Sequence, residues 1–245
     1  MDKTIPELLK SNLLLFLSII MLLINLCLIL GFTSFNLLVW KANRIVYIIF
    51  FYHVSGAWLA YFSFGVSLIS HILYLKNKKM IWSLIGKNSI IVGVFFTTFA
   101  LITGSLWYNA TSGGYSSRPD AYWQWSDGRQ TMTFVLLISY IAFLIFRSMI
   151  EDKERKSKLS AALGIALFPT VPLSYFSAII FESLHPLINP SEPTDIYWDP
   201  VKIFMLLFNL IAMTIFFIYV VKQLVNLDKT KEKLGVLIQK RLVEE

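Results

Sequence analysis

The residues of this chain whose types and spacing could do chemistry are three histidines, one cysteine and one crowded aromatic stretch. Cys27 stands alone, which excludes an internal disulfide, a CxxC redox pair, a cysteine zinc site and a CxxCH covalent haem site. His53 precedes one long apolar stretch and His185 follows another, so two opposed crossings of a membrane would put both imidazoles at one interface. Two imidazole nitrogens from different helices on one membrane face can ligate a single haem iron. Each can equally be an interfacial histidine satisfied by water or by backbone. His71 lies one turn from the opposite, lysine-flanked end of its stretch and reads as a boundary residue.

Residues 107–129 gather Trp107, Tyr108, Tyr115, Tyr122, Trp123 and Trp125, with Arg118 among them and Asp127 and Arg129 directly after. Flat apolar faces suit a planar ligand, and an arginine holds carboxylates by paired hydrogen bonds. A porphyrin offers both a plane and two propionates. An aromatic belt at the headgroup level is the other reading, although a belt scatters single rings over many span ends, whereas "YWQW" packs three rings into four residues. Glu182 stands three residues before His185, on one face if the segment is helical. There it could orient the imidazole or simply reach the interface. Pro169 and Pro172 should kink the helix that leads to it.

These residues need elements to hold them, and composition says what kind. With 56% hydrophobic and 15% charged residues and a mean hydropathy of +0.65, the chain has the balance of a membrane protein and not of a soluble enzyme. Crossing roughly 30 Å of hydrocarbon takes about 20 helical residues. Six segments meet that length, near 13–32, 55–74, 89–107, 131–150, 163–183 and 203–221. The first is too long for a signal-peptide core and is expected to stay as an anchor. The expected fold is therefore all-α and polytopic.

Alternate connections divide the 22 Lys and Arg very unevenly. Only Lys41, Arg44, Arg118, Arg129 and Lys202 fall on the histidine side; the other seventeen fall on the side of both termini, which predicts cytoplasmic termini. The net charge of +7 thus reads as topology and not as a nucleic-acid surface. Residues 1–225 form one membrane domain with an outward loop near 107–130. Residues 226–245 form a basic tail whose Leu234, Leu237, Ile238 and Leu242 recur at helical spacing.

Three ordered stretches resemble the CcmC family of haem-handling proteins of cytochrome c maturation, within the group bearing a tryptophan-rich "WWD" loop. They are "YHVSGAWLAY" around His53, "TGSLW" through "YWQWSDGRQT", and "VPLSYFSAIIFESLHP" leading to His185. The resemblance implies that His53 and His185 are axial ligands of haem b, held non-covalently and passed on. It also implies that Trp107, Tyr122, Trp123, Trp125 and Asp127 belong to a platform loop, with Arg129 and Arg118 near the propionates. It further implies a plasma (inner) membrane location, delivery to a CcmE-like chaperone, and partners resembling CcmA, CcmB and the small CcmD, with no bond-making catalysis. Two departures stand out: Ser126 separates Trp125 from Asp127, and Ile180 and Phe181 replace tryptophans usual before the second histidine. A CcsA-type cytochrome c synthetase would have more spans and further histidines. A b-type electron carrier would place histidine pairs within its spans.

Overall fold

The computed structural model describes residues 5–34, 46–112, 122–181, 183, 185 and 200–244. Within them the regular structure is helical throughout: α1 (Ile5–Ser34), α2 (Val46–Asn77), α3 (Met80–Ser112), α4 (Gly128–Ser148), α5 (Lys153–Leu167), α6 (Thr170–Ile180) and α7 (Pro200–Glu244). The pair α5–α6 makes one broken crossing, so the chain has six passages long and apolar enough to span a bilayer. Helix is the form these sequences must take, because hydrocarbon offers no partner for a backbone N–H or C=O. Leu23, Phe95, Ile102, Ile145 and Leu207 remain exposed on the outside of the bundle, as lipid-facing residues do.

The expected break at the prolines lies between Leu167 and Thr170. Pro169 has no N–H to give, and the chain passes the gap by the tighter bonds Phe168 N–H to Ile165 O (3.2 Å) and Val171 N–H to Phe168 O (2.9 Å). Pro172 sits in the first turn of α6, where a proline costs little. Between α2 and α3 the chain turns on Lys78, whose φ of 57° is left-handed, and its amide closes onto Tyr74 O at 2.8 Å.

Helix α2 is the axis of the bundle and packs on α3, α5 and α7. Its buried Ser55, Ser63, Ser67 and Ser70 are small enough to let neighbouring backbones approach, and Ser63 returns its hydroxyl to Leu59 O at 2.6 Å. Phe64 of α2 stacks on Tyr140 of α4 with centroids 3.8 Å apart, above Gly93 of α3, where a Cβ would meet the Phe64 ring at 2.5 Å. On the other side Asn209 of α7, fully buried, donates to Phe51 O and Ser55 Oγ at 3.1 Å each.

Most helices outrun the expected spans, α3 and α5 by beginning at Met80 and Lys153. α2 starts at Val46 instead of 55, because nothing in the apolar run from Val46 to Tyr52 stops a helix once it is nucleated. α3 runs on to Ser112, and α7 continues through residues 226–244 without a break. At about 1.5 Å per residue, the 45 residues of α7 span roughly 68 Å, about twice the hydrocarbon thickness.

His71 is also not a boundary residue. It is fully buried, hydrogen-bonded to Ser67 Oγ at 3.2 Å, and pressed between Gly86 and Gly164, whose added Cβ atoms would meet its ring at 2.7 and 2.4 Å. The glycine notches on α3 and α5 let the ring sit in the core.

Candidate functional site

One end of the bundle collects the ends of α2, α3, α4 and α6 and most of the residues the sequence marks out. His53 lies on the second turn of α2, not in a connection ahead of the span, because α2 starts early. Its ring rests on Gly104 of α3, where a Cβ would come within 2.7 Å of Cε1. His53 Nδ1 is 3.1 Å from Thr103 Oγ1, and that hydroxyl donates its only hydrogen to Phe99 O at 2.7 Å. Thr103 can therefore only accept from the ring. The tautomer that fits this acceptor carries its proton on Nδ1 and leaves the lone pair on Nε2; the ring also bonds to the Ala100 backbone.

The tryptophan loop is fastened by Gln130, a buried residue of the first turn of α4. Its Nε2 donates to Ser105 Oγ (2.9 Å) and Tyr122 O (3.0 Å), and its Oε1 accepts from Gln124 N–H (2.9 Å). A turn closed by Asp127 N–H to Gln124 O at 3.1 Å carries Trp125 and Ser126, and Ser126 Oγ receives Gln124 Nε2 at 2.7 Å. The residue that departs from the family's W-D spacing thus fills a turn position. Thr131 Oγ1 holds Trp125 O at 2.9 Å.

The rings of Trp123, Trp125 and Phe134 meet edge to face, with centroids 5.3 to 5.8 Å apart. Trp123 is the anchor, half-buried, with its indole N–H buried and unpaired among the described residues. Trp125 and Tyr122 are the open faces, 67% and 50% exposed.

Asp127, buried, ties two segments of the site together. Oδ1 caps α4 by accepting Gln130 N–H at 2.8 Å, and Oδ2 accepts from Ser183 Oγ at 3.0 Å. Ser183 Oγ in turn accepts the His185 amide at 3.1 Å. The second histidine is thereby tied to the start of α4. The expectation that Glu182 and His185 share a helix face fails: α6 ends at Ile180 and Phe181 is extended (φ −118°, ψ 159°). Pro186 further disfavours helix at His185 itself.

Arg129 donates to Tyr175 O at 2.5 Å, lies 5.4 Å from the Tyr175 ring centroid, and is close enough to His53 to act on it electrostatically. A guanidinium has five N–H donors, so this leaves others for an anionic ligand. Arg118, Tyr115, Glu182 and the Trp107 side chain lie outside the described residues. The structure therefore brings His53, His185, Tyr122, Trp123, Trp125, Asp127 and Arg129 to one end. It adds Thr103, Gly104 and Gln130, which sequence reasoning missed. Asp127 and Gln130 stand at capping-box spacing, the one signal that could have drawn attention to the glutamine.

Residues 4–235 match the family model described as "Heme exporter protein C", CcmC. Among curated proteins, "Heme exporter protein C" of Bradyrhizobium diazoefficiens is 28% identical over 170 residues, covering 69% of this chain and 62% of its own. "Putative cytochrome c biosynthesis ccmC-like mitochondrial protein" of Marchantia polymorpha is 26% identical over 216 residues, 83% and 87% respectively. "Heme exporter protein C" of Rhodobacter capsulatus is 25% identical over 163 residues, 64% and 62%. The chain thus spans under two thirds of the length of two of these relatives.

Proposed function

The chain belongs to the CcmC family, the heme exporter protein C family, and from that premise we propose that it binds haem b non-covalently at the tryptophan-loop end and passes it to a CcmE-like chaperone during cytochrome c maturation. The observation that carries the reading is the His53 ring, whose contact with Thr103 favours the tautomer that keeps the Nε2 lone pair for the proposed iron.

In this reading His53 and His185 would hold the haem iron, and Tyr122, Trp123 and Trp125 would give the porphyrin its apolar support. Arg129 takes a propionate, as would Arg118. Asp127 serves by holding both α4 and the His185 segment in place. Bound haem supplies a ligand-exchangeable iron and nothing more; the protein makes no bond. Handing haem on requires moderate affinity, which suits a site whose platform is half open to its surroundings. The domain comprises residues 1–225, with 226–245 as a basic extension. The protein resides in the plasma membrane with both termini cytoplasmic, beside partners resembling CcmA, CcmB and CcmD.

The test is an absorption spectrum of the detergent-purified protein titrated with haem, for the native chain and for His53→Ala and His185→Ala. Saturable binding with a Soret band altered in both variants is the expected result. An absence of saturable binding by the native protein would sink the proposal and leave the tryptophan loop as a protein-docking surface.

A further inference from the structure

Far from the site, at the lysine-rich end of the bundle, a groove of about 420 Å³ lies between α2, α3 and α7. Its walls are apolar, formed by Phe62 and Val66 on α2, Ile81 on α3, and Phe217 and Val221 on α7. It ends at Lys222 and Lys229.

The groove lies where α7 leaves the hydrocarbon. The sixth span ends near residue 221, so Phe217 and Val221 sit in its last turns at the depth of acyl chains, Lys222 at the boundary, and Lys229 about 10 Å further along the helix.

Charge completes the fit. Lys222 and Lys229 are exposed and make no ion pair among the described residues. Lys87 nearby is different, because Asp228 holds it at 2.6 Å and Asn88 also donates to that carboxylate at 2.7 Å. Glu232, one turn beyond Lys229, is likewise engaged, by Lys153, so both nearby carboxylates already have partners while Lys222 and Lys229 line the groove. Lys78 and Lys79 precede Ile81 in the α2–α3 turn and add to the positive field.

We propose that this groove is a binding site for an anionic phospholipid, one acyl chain lying against α2, α3 and α7 and the phosphate at Lys222 and Lys229. The site staples the inner half of α7 to the axis of the bundle.

Native mass spectrometry of the full-length protein from mild detergent tests this, with phosphatidylglycerol and phosphatidylcholine of equal chain length as probes. The native chain should retain the anionic lipid at least about tenfold better. Lys222→Gln with Lys229→Gln should bring the two lipids to parity. Ile218→Trp, which fills the groove from its rim, should lower the occupancy of both. Equal retention of the two lipids by the native protein overturns the proposal, as does an anionic preference that survives the double lysine substitution. Displacement of phosphatidylglycerol by glycerol phosphate as readily as by intact lipid also overturns it, since the chain would then contribute nothing.

Discussion

At the scale of single residues, the state of His53 depends on a hydroxyl that touches no ligand. Thr103 Oγ1 gives its hydrogen to Phe99 O and so must accept from the ring, which favours the tautomer that keeps the Nε2 lone pair for the proposed iron. Thr103→Val keeps the shape and removes the acceptor, so the ring is free to turn or to carry its proton on the wrong nitrogen. Outer partners of this kind are worth about 10- to 100-fold in metal affinity. Haem titration of Thr103→Val should therefore show affinity lowered by at least about tenfold, with Thr103→Ser close to native. If valine and serine behave alike, the tautomer argument is wrong even though the two-histidine site could stand. Gln130 makes the complementary case for the loop. Gln130→Ala removes three hydrogen bonds at once and leaves Gln124 N–H without its acceptor. The expected cost is about 1–3 kcal/mol of stability, read as a lower melting temperature in detergent together with a changed Trp fluorescence from the released loop.

At the scale of elements, helix spacing is set by glycines facing rings. Gly164 of α5 meets His71 where a Cβ would be 2.4 Å from Nδ1, with Phe143 also within reach at 3.3 Å. The ring is fully buried and flanked on its other side by Gly86, so it has nowhere to move. Gly164→Ala should cost about 1–3 kcal/mol by overpacking, whereas Gly65→Ala, with open space around it, should be neutral or gain up to about 1 kcal/mol from helix propensity. Thermal melts of the two variants side by side check the contrast. Such notches are not legible in a sequence, because they depend on which helix faces which. The spans are legible, since twenty apolar residues in a row admit one structure in hydrocarbon, and so is the break at Pro169. The ends are harder to read. The apolar run before His53 carries no stop signal, and α6 stops at Ile180 although the residues after it, Phe181 and Glu182, have no bias against helix. For the site, the histidines and the aromatic loop are visible as rare residue types. Thr103 and Gln130 are common types whose value lies in their partners, and those exist only once α2, α3 and α4 are packed.

At the scale of the whole molecule, the two ends of the bundle differ in their cations and in their chemistry. The lysine-rich end is bound by charged contacts: Arg147 donates to Ser83 Oγ at 3.1 Å, Lys87 pairs with Asp228, and Lys153 pairs with Glu232 on the continuation of α7. The other end holds His53 and His185, the exposed tryptophan and the tyrosine. A positive-inside bias follows loop lysines and arginines near span ends, and the turn at Lys78 and Lys79 and the α4–α5 connection are short enough for that bias to act. The lysine-rich end should therefore face the cytoplasm, with α7 carrying its basic extension about 35 Å beyond a hydrocarbon core it needs only about 20 residues to cross. Reporter fusions decide this. A fluorescent protein that matures only in the cytoplasm should light up when joined after Glu245, and alkaline phosphatase inserted after Gly114 should be active. The reverse pattern would put the end with His53 and His185 inside, where the proposed delivery to an outer-face chaperone could not work. It would overturn the proposed direction of haem delivery while leaving the fold and the two-histidine site untouched.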